Sequence, residues 1–143
     1  MDCVKLKYEI KGKDFINAGY ASSEMKKALS RVGADARTVK RASISMYEAE
    51  INAVIHASEG IAEVFIYNDH IEIVITDKGP GIPDVELAMQ EGWSTAPDLA
   101  REMGFGAGMG LPNIKKNSDY MNIETKVGTG TKITIGINYS DKI

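Results

Sequence analysis

Three polar side chains recur at four-residue intervals within one stretch of the sequence. Glu48, Asn52 and His56 are spaced i, i+4 and i+8, so a helix would place them on one face. A carboxylate stacked next to a carboxamide suits acid–base chemistry, and their oxygens suit Mg²⁺, a hard cation that keeps most of its waters. Ordinary solvated helix faces also carry such residues, so this motif alone leaves both interpretations open.

A second motif follows a short β-branched stretch at residues 71–76. Residues 77–82 read DKGPGI, which leaves Asp77 at the end of a predicted strand. There its carboxylate can accept a hydrogen bond from an exocyclic amine such as adenine N6, while the glycines allow a ligand to approach the backbone. A tight turn of the Asp-Gly type would show the same residues, and the motif alone does not separate the two.

A third motif is rich in glycine. Residues 104–111 read GFGAGMGL and lead into a predicted helix. Backbone N–H groups beside glycines, together with the dipole of a helix start, form a site for phosphate oxygens. The apolar residues between the glycines argue against a flexible linker. The chain has no GxxxxGK[ST] P-loop, Met109 interrupts the dinucleotide fingerprint, and the kinase signatures HRD and DFG are missing.

The elements that position these motifs follow from periodicity and from helix breakers. Asp14 and Asp35 are predicted to cap two helices, at 15–32 and from 36 to about 57, and Gly33 follows the first. The second helix has an apolar stripe at helical spacing, formed by Val39, Ala42, Met46, Ala49 and Ala53. Short helices are predicted near 84–90 and at 111–117. Strands are predicted at 4–10, 62–67, 71–76, 120–126 and 131–137.

This order of elements predicts an α+β two-layer sandwich. The strands follow one another as hairpins while the helices gather elsewhere, which favours a mixed, mainly antiparallel sheet with helices on one face. All four prolines lie between residues 80 and 112. The irregular backbone, and with it the function, is therefore expected in that stretch.

Composition narrows the classes of protein that this chain can represent. It has 143 residues, 43% hydrophobic and 26% charged, with a formal net charge of −3, as in one soluble globular domain. General nucleic-acid binders usually carry a basic excess. A lone Cys3 and two distant histidines predict no disulfide and no zinc site. Without a signal peptide or a membrane span, we expect a single cytoplasmic domain over residues 1–143.

Taken together, the motifs resemble the GHKL ATP-binding module of gyrase, the heat-shock chaperone, histidine kinases and MutL. The matching residues are Glu48-x-x-x-Asn52, Asp77-x-Gly79-x-Gly81, Gly108-x-Gly110 and Gly128-Thr129-Gly130-Thr131. They occur in the family's order over residues 35–135, and the resemblance implies the Bergerat-type ATP-binding fold. Within the superfamily, the helix around Glu48 resembles the anti-sigma factor serine-protein kinases of bacterial partner-switching systems. The stretch 110–116 (GLPNIKK) is similar to their switch-kinase branch.

The resemblance implies a role for each matching residue. Asn52 would ligate Mg²⁺ and Asp77 would contact adenine. Glu48 would be the general base for a serine or threonine hydroxyl of a partner protein, or for a water. The remaining ATP-binding residues by resemblance are Gly79, Gly81, Gly108, Gly110 and Thr131. Glu50 is expected to be structural, and His56 to be a packing or hydrogen-bonding residue.

The resemblance also implies an ATP lid at about 92–108. Residues 103–106 lengthen this lid relative to the anti-sigma pattern, and Arg101 is a candidate contact for phosphate or a partner. The predicted function is an ATP-dependent serine/threonine-protein kinase of the anti-sigma factor type. A nucleotide-responsive binding module without kinase activity is the alternative that the same motifs allow. The expected partner is a sigma factor or an anti-sigma antagonist, with a homodimer also implied and no direct contact with nucleic acid or membrane.

Overall fold

Five strands and four helices lie in the part of the chain that this computed structural model describes, residues 3–90 and 110–140. The strands are β1 (Val4–Lys11), β2 (Glu59–Ile66), β3 (His70–Lys78), β4 (Tyr120–Lys126) and β5 (Gly130–Asn138). The helices are α1 (Tyr20–Arg31), α2 (Ala36–His56), α3 (Val85–Ala88) and α4 (Gly110–Asn117). No helix of the described residues is long and apolar enough to cross a bilayer.

The strands form one sheet in the order β1-β2-β3-β5-β4. Each of the four pairings is antiparallel, in agreement with the predicted mainly antiparallel sheet, and the described strands contain no parallel pair. The reason is the place of β5. The chain crosses from β3 to β4 through helices and returns as β5, which inserts between those two parallel strands and pairs with both in the opposite direction.

The helices cover one face of the sheet, as predicted. Inward-facing isoleucines of β3 and β5 pack against α2, and Met25 and Leu29 of α1 and Met46 of α2 are fully buried in the same core. The predicted apolar stripe of α2 is also buried, at most 6% exposed at any of its five positions. The opposite face carries cross-strand ion pairs, Lys5 with Glu63 at 3.1 Å and Lys132 with Glu124 at 3.9 Å. This division confirms the α+β two-layer architecture.

The predicted helix bounds hold except at the start of α1. That helix begins at Tyr20 and not at residue 15, because Asp14 accepts hydrogen bonds from the backbone and side chain of Asn17 at 3.3 and 2.9 Å and closes a turn there. Asp35 caps α2 as predicted, accepting from Thr38 N at 3.0 Å. Gly33 follows α1 with a left-handed φ of 81°, the conformation that glycine adopts after a helix.

Candidate functional site

The C-terminal half of α2 forms one wall of the candidate site. Glu48, Asn52 and His56 lie on one side of this helix and are half-buried, so their spacing is helical as predicted. The start of α4 lies next to them, since a side-chain carbon added at Gly110 would be 3.4 Å from Glu48 Oε2. Two segments separated by more than sixty residues in the sequence therefore meet at the Glu48 carboxylate.

Glu48 is held in conditions that make it a stronger base than a solvent-exposed glutamate. Burial raises the pKa of its carboxyl, and a hydrogen bond from the Asn113 side chain opposes that shift. Among the described residues no cation pairs with Glu48. A carboxylate that is partly desolvated and unpaired accepts a proton more readily than an exposed one. The sequence did not identify Asn113, which stands three residues into α4.

Asn52 and His56 differ in what surrounds them. The Asn52 side chain has no hydrogen-bond partner within residues 3–90 and 110–140, so its carbonyl oxygen is available as a ligand. Burial, and next the charge of Lys13, lower the pKa of His56, which keeps the ring neutral at neutral pH. The expected role of His56 in packing or hydrogen bonding stays a prediction.

Glu50 belongs to the fold and not to the site. Its side chain is only 3% exposed and accepts hydrogen bonds from Gly19 N, Ala21 N and Ser22 N at 3.0, 3.2 and 2.9 Å. These are N–H groups at the start of α1, which lack intrahelical partners. The carboxylate supplies the partners and attaches α1 to α2, which confirms the prediction that Glu50 is structural.

Asp77 lies at the carboxyl end of β3, opposite Thr131 in the β3–β5 register. Thr131 N donates to Asp77 Oδ1 at 3.1 Å. Burial raises the pKa of the Asp77 carboxyl, and the hydrogen bond from Thr131 opposes the rise. The second carboxylate oxygen has no donor among the described residues. One oxygen thus fixes the side chain, while the other can accept a hydrogen bond from a ligand.

The glycines after Asp77 are required by the chain's own backbone. Gly81 has a left-handed φ of 76°, and a side-chain carbon there would lie 2.5 Å from the Lys126 carbonyl oxygen. At Gly79 the corresponding carbon would lie 3.0 Å from Ala57 Cα. These close approaches hold the end of β3 against the end of α2 and against the β4–β5 turn. The same absence of side chains leaves the backbone beside Asp77 open to a ligand.

The glycine-rich turn between β4 and β5 completes this region. Gly128 N donates to Pro80 O at 2.9 Å, and Gly79 N donates to Thr129 O at 3.3 Å. Thr131 is buried, and its hydroxyl lies 3.0 Å from that of Thr125. Thr125 Oγ1 in turn accepts from Ile82 N at 2.8 Å. Thr125 was missed from the sequence, although its position opposite Thr131 in the hairpin register could have indicated it.

The residues around Glu48 and the residues around Asp77 form two groups, and both groups lie along α2. A side-chain carbon at Gly60 would lie 3.5 Å from Asp77 Cβ and 3.7 Å from Ala53 Cβ. Asp77 therefore lies near the last turns of α2, while Glu48 lies two turns earlier and next to α4. Gly108, Arg101 and the predicted lid at 92–108 fall outside the described residues, so the structure does not test them.

The donor set of this site fits a nucleotide with Mg²⁺ better than a metal held by protein alone. Within the described residues no three His, Cys, Asp or Glu side chains come together as a metal site. Magnesium commonly takes one or two protein oxygens and completes its shell with waters and substrate phosphates. The uncommitted Asn52 oxygen beside Glu48 matches that requirement, and the free oxygen of Asp77 matches an amine donor on a base.

Comparison with known proteins agrees with this geometry. Residues 39–141 match the family described as histidine kinase-, DNA gyrase B-, and HSP90-like ATPase. The chain is 35% identical over 94 residues to the anti-sigma F factor of Clostridium beijerinckii, a match covering 62% of each chain. It is 31% identical over 102 residues to the serine/threonine-protein kinase RsbT of Bacillus subtilis, covering 67% of this chain and 71% of that protein.

A solved structure supports the fold alone. The crystal structure of the RsbU and RsbW domains of a Mycobacterium tuberculosis protein superposes with a TM-score of 0.61 over 94% of this chain. The match covers 32% of that larger chain at 15% sequence identity.

Proposed function

The chain belongs to the histidine kinase-, DNA gyrase B-, and HSP90-like ATPase family, and on that premise we propose that it is a serine/threonine-protein kinase. It binds ATP and transfers the γ-phosphoryl group to a hydroxyl of a small regulatory partner protein. One observation carries this proposal. Glu48 is half-buried, unpaired with any cation of the described residues, and placed where α2 meets the start of α4.

The proposed ATP site uses both groups of residues along α2. Asp77 accepts a hydrogen bond from the adenine amine through its free oxygen. Gly79 and Gly81 keep the neighbouring backbone accessible, and Thr131 takes part in the polar network around the base. Gly108 and Gly110 contact the phosphates near the N-terminus of α4, where backbone N–H groups favour negative charge.

Glu48 is the proposed general base. It takes the proton of the serine or threonine hydroxyl, whose oxygen forms a bond to the γ-phosphorus while the bond to the β-phosphate oxygen breaks. The products are a phosphorylated partner and ADP. The rate of phosphoryl transfer depends mainly on positioning and charge neutralisation. A general base whose pKa is near the working pH increases that rate further. The raised pKa of Glu48 is a shift in the useful direction.

Asn52 is the proposed protein ligand of Mg²⁺. The ion would supply charge neutralisation for the phosphates when it is bound. The side chain of Asn52 offers a neutral oxygen one helical turn from Glu48, so it can approach the ion without adding negative charge near the base. We place the protein in the cytoplasm as part of this proposal, because ATP is the substrate.

The partner is proposed from the relatives. One relative is named an anti-sigma F factor and another a serine/threonine-protein kinase. A sigma factor or an anti-sigma antagonist is therefore the proposed partner, with a homodimer as the proposed assembly. The matched relatives extend beyond the aligned region, which spans 62% of the Clostridium protein and 71% of the Bacillus protein.

Incubation of the protein with radiolabelled ATP and candidate partner proteins, namely sigma factors and anti-sigma antagonists, tests the proposal. We expect label to appear on a serine or threonine of one of them, and we expect Glu48→Gln to lower the rate of transfer about a hundredfold or more while ATP still binds. Full transfer by Glu48→Gln would overturn the role of the base.

The name of the anti-sigma relatives favours a second candidate, a nucleotide-responsive binding module. Nucleotide-dependent partner affinity by calorimetry, without any phosphoprotein, would favour that candidate.

A further inference from the structure

A row of three polar side chains crosses one end of the sheet. Asp77 of β3 lies directly opposite Thr131 of β5, and Thr131 lies directly opposite Thr125 of β4. Directly opposite residues of antiparallel strands point to the same face of the sheet, with Cβ atoms about 4.5–5.5 Å apart. Thr131 is buried in line with the inward-facing isoleucines of β5. The three side chains therefore lie next to one another on the face that the helices cover.

Thr125 is the point in this row where three polar contacts meet. Ile82 N donates to Thr125 Oγ1 at 2.8 Å. The same hydroxyl oxygen lies 3.0 Å from Thr131 Oγ1 and 3.3 Å from Gly130 O. A threonine hydroxyl has one proton and two lone pairs. Because Ile82 N occupies one lone pair, the single proton of Thr125 is shared between two possible acceptors, the Thr131 hydroxyl and the Gly130 carbonyl.

The acceptor that receives this proton decides what the Thr131 hydroxyl can offer a ligand. If Thr125 donates to Gly130 O, Thr131 gives its own proton to Thr125 and presents only lone pairs. If Thr125 donates to Thr131, the proton of Thr131 is left for the ligand. The contact with Thr131 is within the usual range of an O–H···O hydrogen bond, and the contact with Gly130 O is longer than that range. The distances thus favour donation from Thr125 to Thr131.

The direction of the whole chain of hydrogen bonds supports the same assignment. It starts at the Ile82 amide, passes through the hydroxyl of Thr125 and ends at the hydroxyl of Thr131. Hydrogen bonds that point the same way polarise one another and become stronger. Within the described part of the chain, the Thr131 hydroxyl has no hydrogen-bond partner besides Thr125. Its proton is the free end of the chain.

We propose that Thr125 is a positioning residue that determines which purine base the site accepts: it donates to Thr131 and thereby makes the Thr131 hydroxyl a donor toward the ligand. This inference rests on the proposed function, because it needs the base of ATP to lie against Asp77. The free oxygen of Asp77 is an acceptor, so the row offers an acceptor and a donor side by side.

Adenine carries the complementary pair of groups on one edge. Its 6-amine donates and its neighbouring N1 accepts. Hypoxanthine, the base of ITP, carries the reverse pair, because its O6 accepts and its N1–H donates. A site that is built to hydrogen-bond one pattern rejects the other, since its own polar groups are then left unpaired. Thr125 acts on this choice through Thr131 and does not itself contact the base.

The test compares the affinities for ATP and ITP in the presence of Mg²⁺, by isothermal calorimetry for ATP and by competition against ATP for ITP. We expect the unmodified protein to prefer ATP by about a hundredfold or more, since two hydrogen bonds are reversed in ITP. Thr125→Val removes the hydroxyl at nearly constant volume. The Thr131 hydroxyl can then rotate and accept from the N1–H of hypoxanthine, so the preference for ATP should narrow by about fivefold to tenfold.

Two further variants separate this effect from a loss of structure. Thr125→Ser keeps the hydroxyl and should keep the preference of the unmodified protein. Thr134→Val is the matched control, because Thr134 lies on the opposite face of the sheet, three positions along β5 from Thr131, and it should leave the preference unchanged. If valine at position 125 prevents folding, Thr125→Cys replaces it, since a thiol is a weak donor and should narrow the preference in the same direction.

The ratio of the two affinities decides the outcome. If Thr125→Val weakens ATP and ITP by the same factor, Thr125 only supports the fold and the inference is wrong. Equal affinities of the unmodified protein for ATP and ITP would also overturn it, without any variant. If neither nucleotide binds the unmodified protein, the proposed ATP site fails as well. If ATP is preferred, and equally so in the folded Thr125→Val protein, the proposed site stands and the inference fails alone.

Discussion

The two sides of α2 use glutamate in opposite ways. On the side that faces α1, Glu50 is buried and accepts three backbone hydrogen bonds. On the side that faces α4, Glu48 is half-buried and pairs with no cation of the described residues. Two residues of the same type, separated by a single position, thus face different helices.

The contrast shows what separates a structural carboxylate from a reactive one. Both oxygens of the Glu50 carboxylate accept backbone hydrogen bonds, and its charge is balanced by the helix start it caps. Glu48 is partly desolvated with little compensation, which raises its pKa. Stability is therefore expected to depend on the α1 side of α2, and chemistry on the α4 side.

The largest expected effect is on the α1 side. Glu50→Ala removes the acceptor for three N–H groups at the start of α1, and buried donors without partners are costly. We expect the free energy of unfolding to fall by about 3 kcal/mol, measured by urea denaturation. Glu48→Ala is the matched control and should cost far less. Equal losses from the two variants would contradict the division between the two sides.

The next effect is on the α4 side and concerns rate. Glu48→Gln should lower phosphoryl transfer by about a hundredfold or more, the range typical of a general base, while the melting temperature stays the same or rises. The amide is close in shape but cannot take the proton. A variant that keeps its rate, or one that unfolds, would place Glu48 with the structural carboxylates.

Asp77 is intermediate between the two glutamates, since one of its oxygens is bonded to Thr131 N and the other is free. Asp77→Asn should lower ATP affinity tenfold or more, of the order of one charge-assisted hydrogen bond, about 1.4 kcal/mol. Isothermal calorimetry measures the affinity for ATP, and Asp69→Asn in the exposed β2–β3 turn is the control. Unchanged affinity would mean that the free oxygen does not contact the nucleotide.

The smallest expected effect is the pH dependence of stability. The folded pKa of Glu48 is raised above its ordinary value of 4.5, so the folded state binds this proton more tightly than the unfolded state does. The contribution of Glu48 to stability should therefore fall as pH rises from 4.5 through the folded pKa. Melting temperature against pH should fall more steeply in the unmodified protein than in Glu48→Gln. Parallel curves would contradict the raised pKa.

Features that depend on local sequence patterns were predicted correctly from the sequence. Contacts between distant elements were not. Helical spacing placed Glu48 and Asn52 on one face because that periodicity is intrinsic to α2. The start of α1 was wrong because its cap comes from Glu50, about thirty residues away, and not from the nearby Asp14. Thr125 was missed because its hydrogen bonds depend on the alignment of β4 with β5, which follows from the register of the hairpin and not from a motif around Thr125 itself.

The site residues divide in the same way. Asp77 was predicted from its place after a strand, and its contact with Thr131 joins residues 54 positions apart. The position of Asn113 near Glu48 could not be predicted, since it depends on how α4 packs along α2. Residues whose position follows from their own element were predictable. Residues whose contacts follow from packing between elements required the structure.

The strand order has a consequence for how the protein folds. β5 follows every other strand in the sequence, yet it lies inside the sheet between β3 and β4. A chain still being synthesised could pair β1, β2 and β3, but the Asp77 carboxylate would lack its Thr131 donor until β5 arrived. Joining segments so distant in sequence is a slow step in folding. Because ATP would bind only the finished pocket, its presence should favour the completed fold over the partly folded chain.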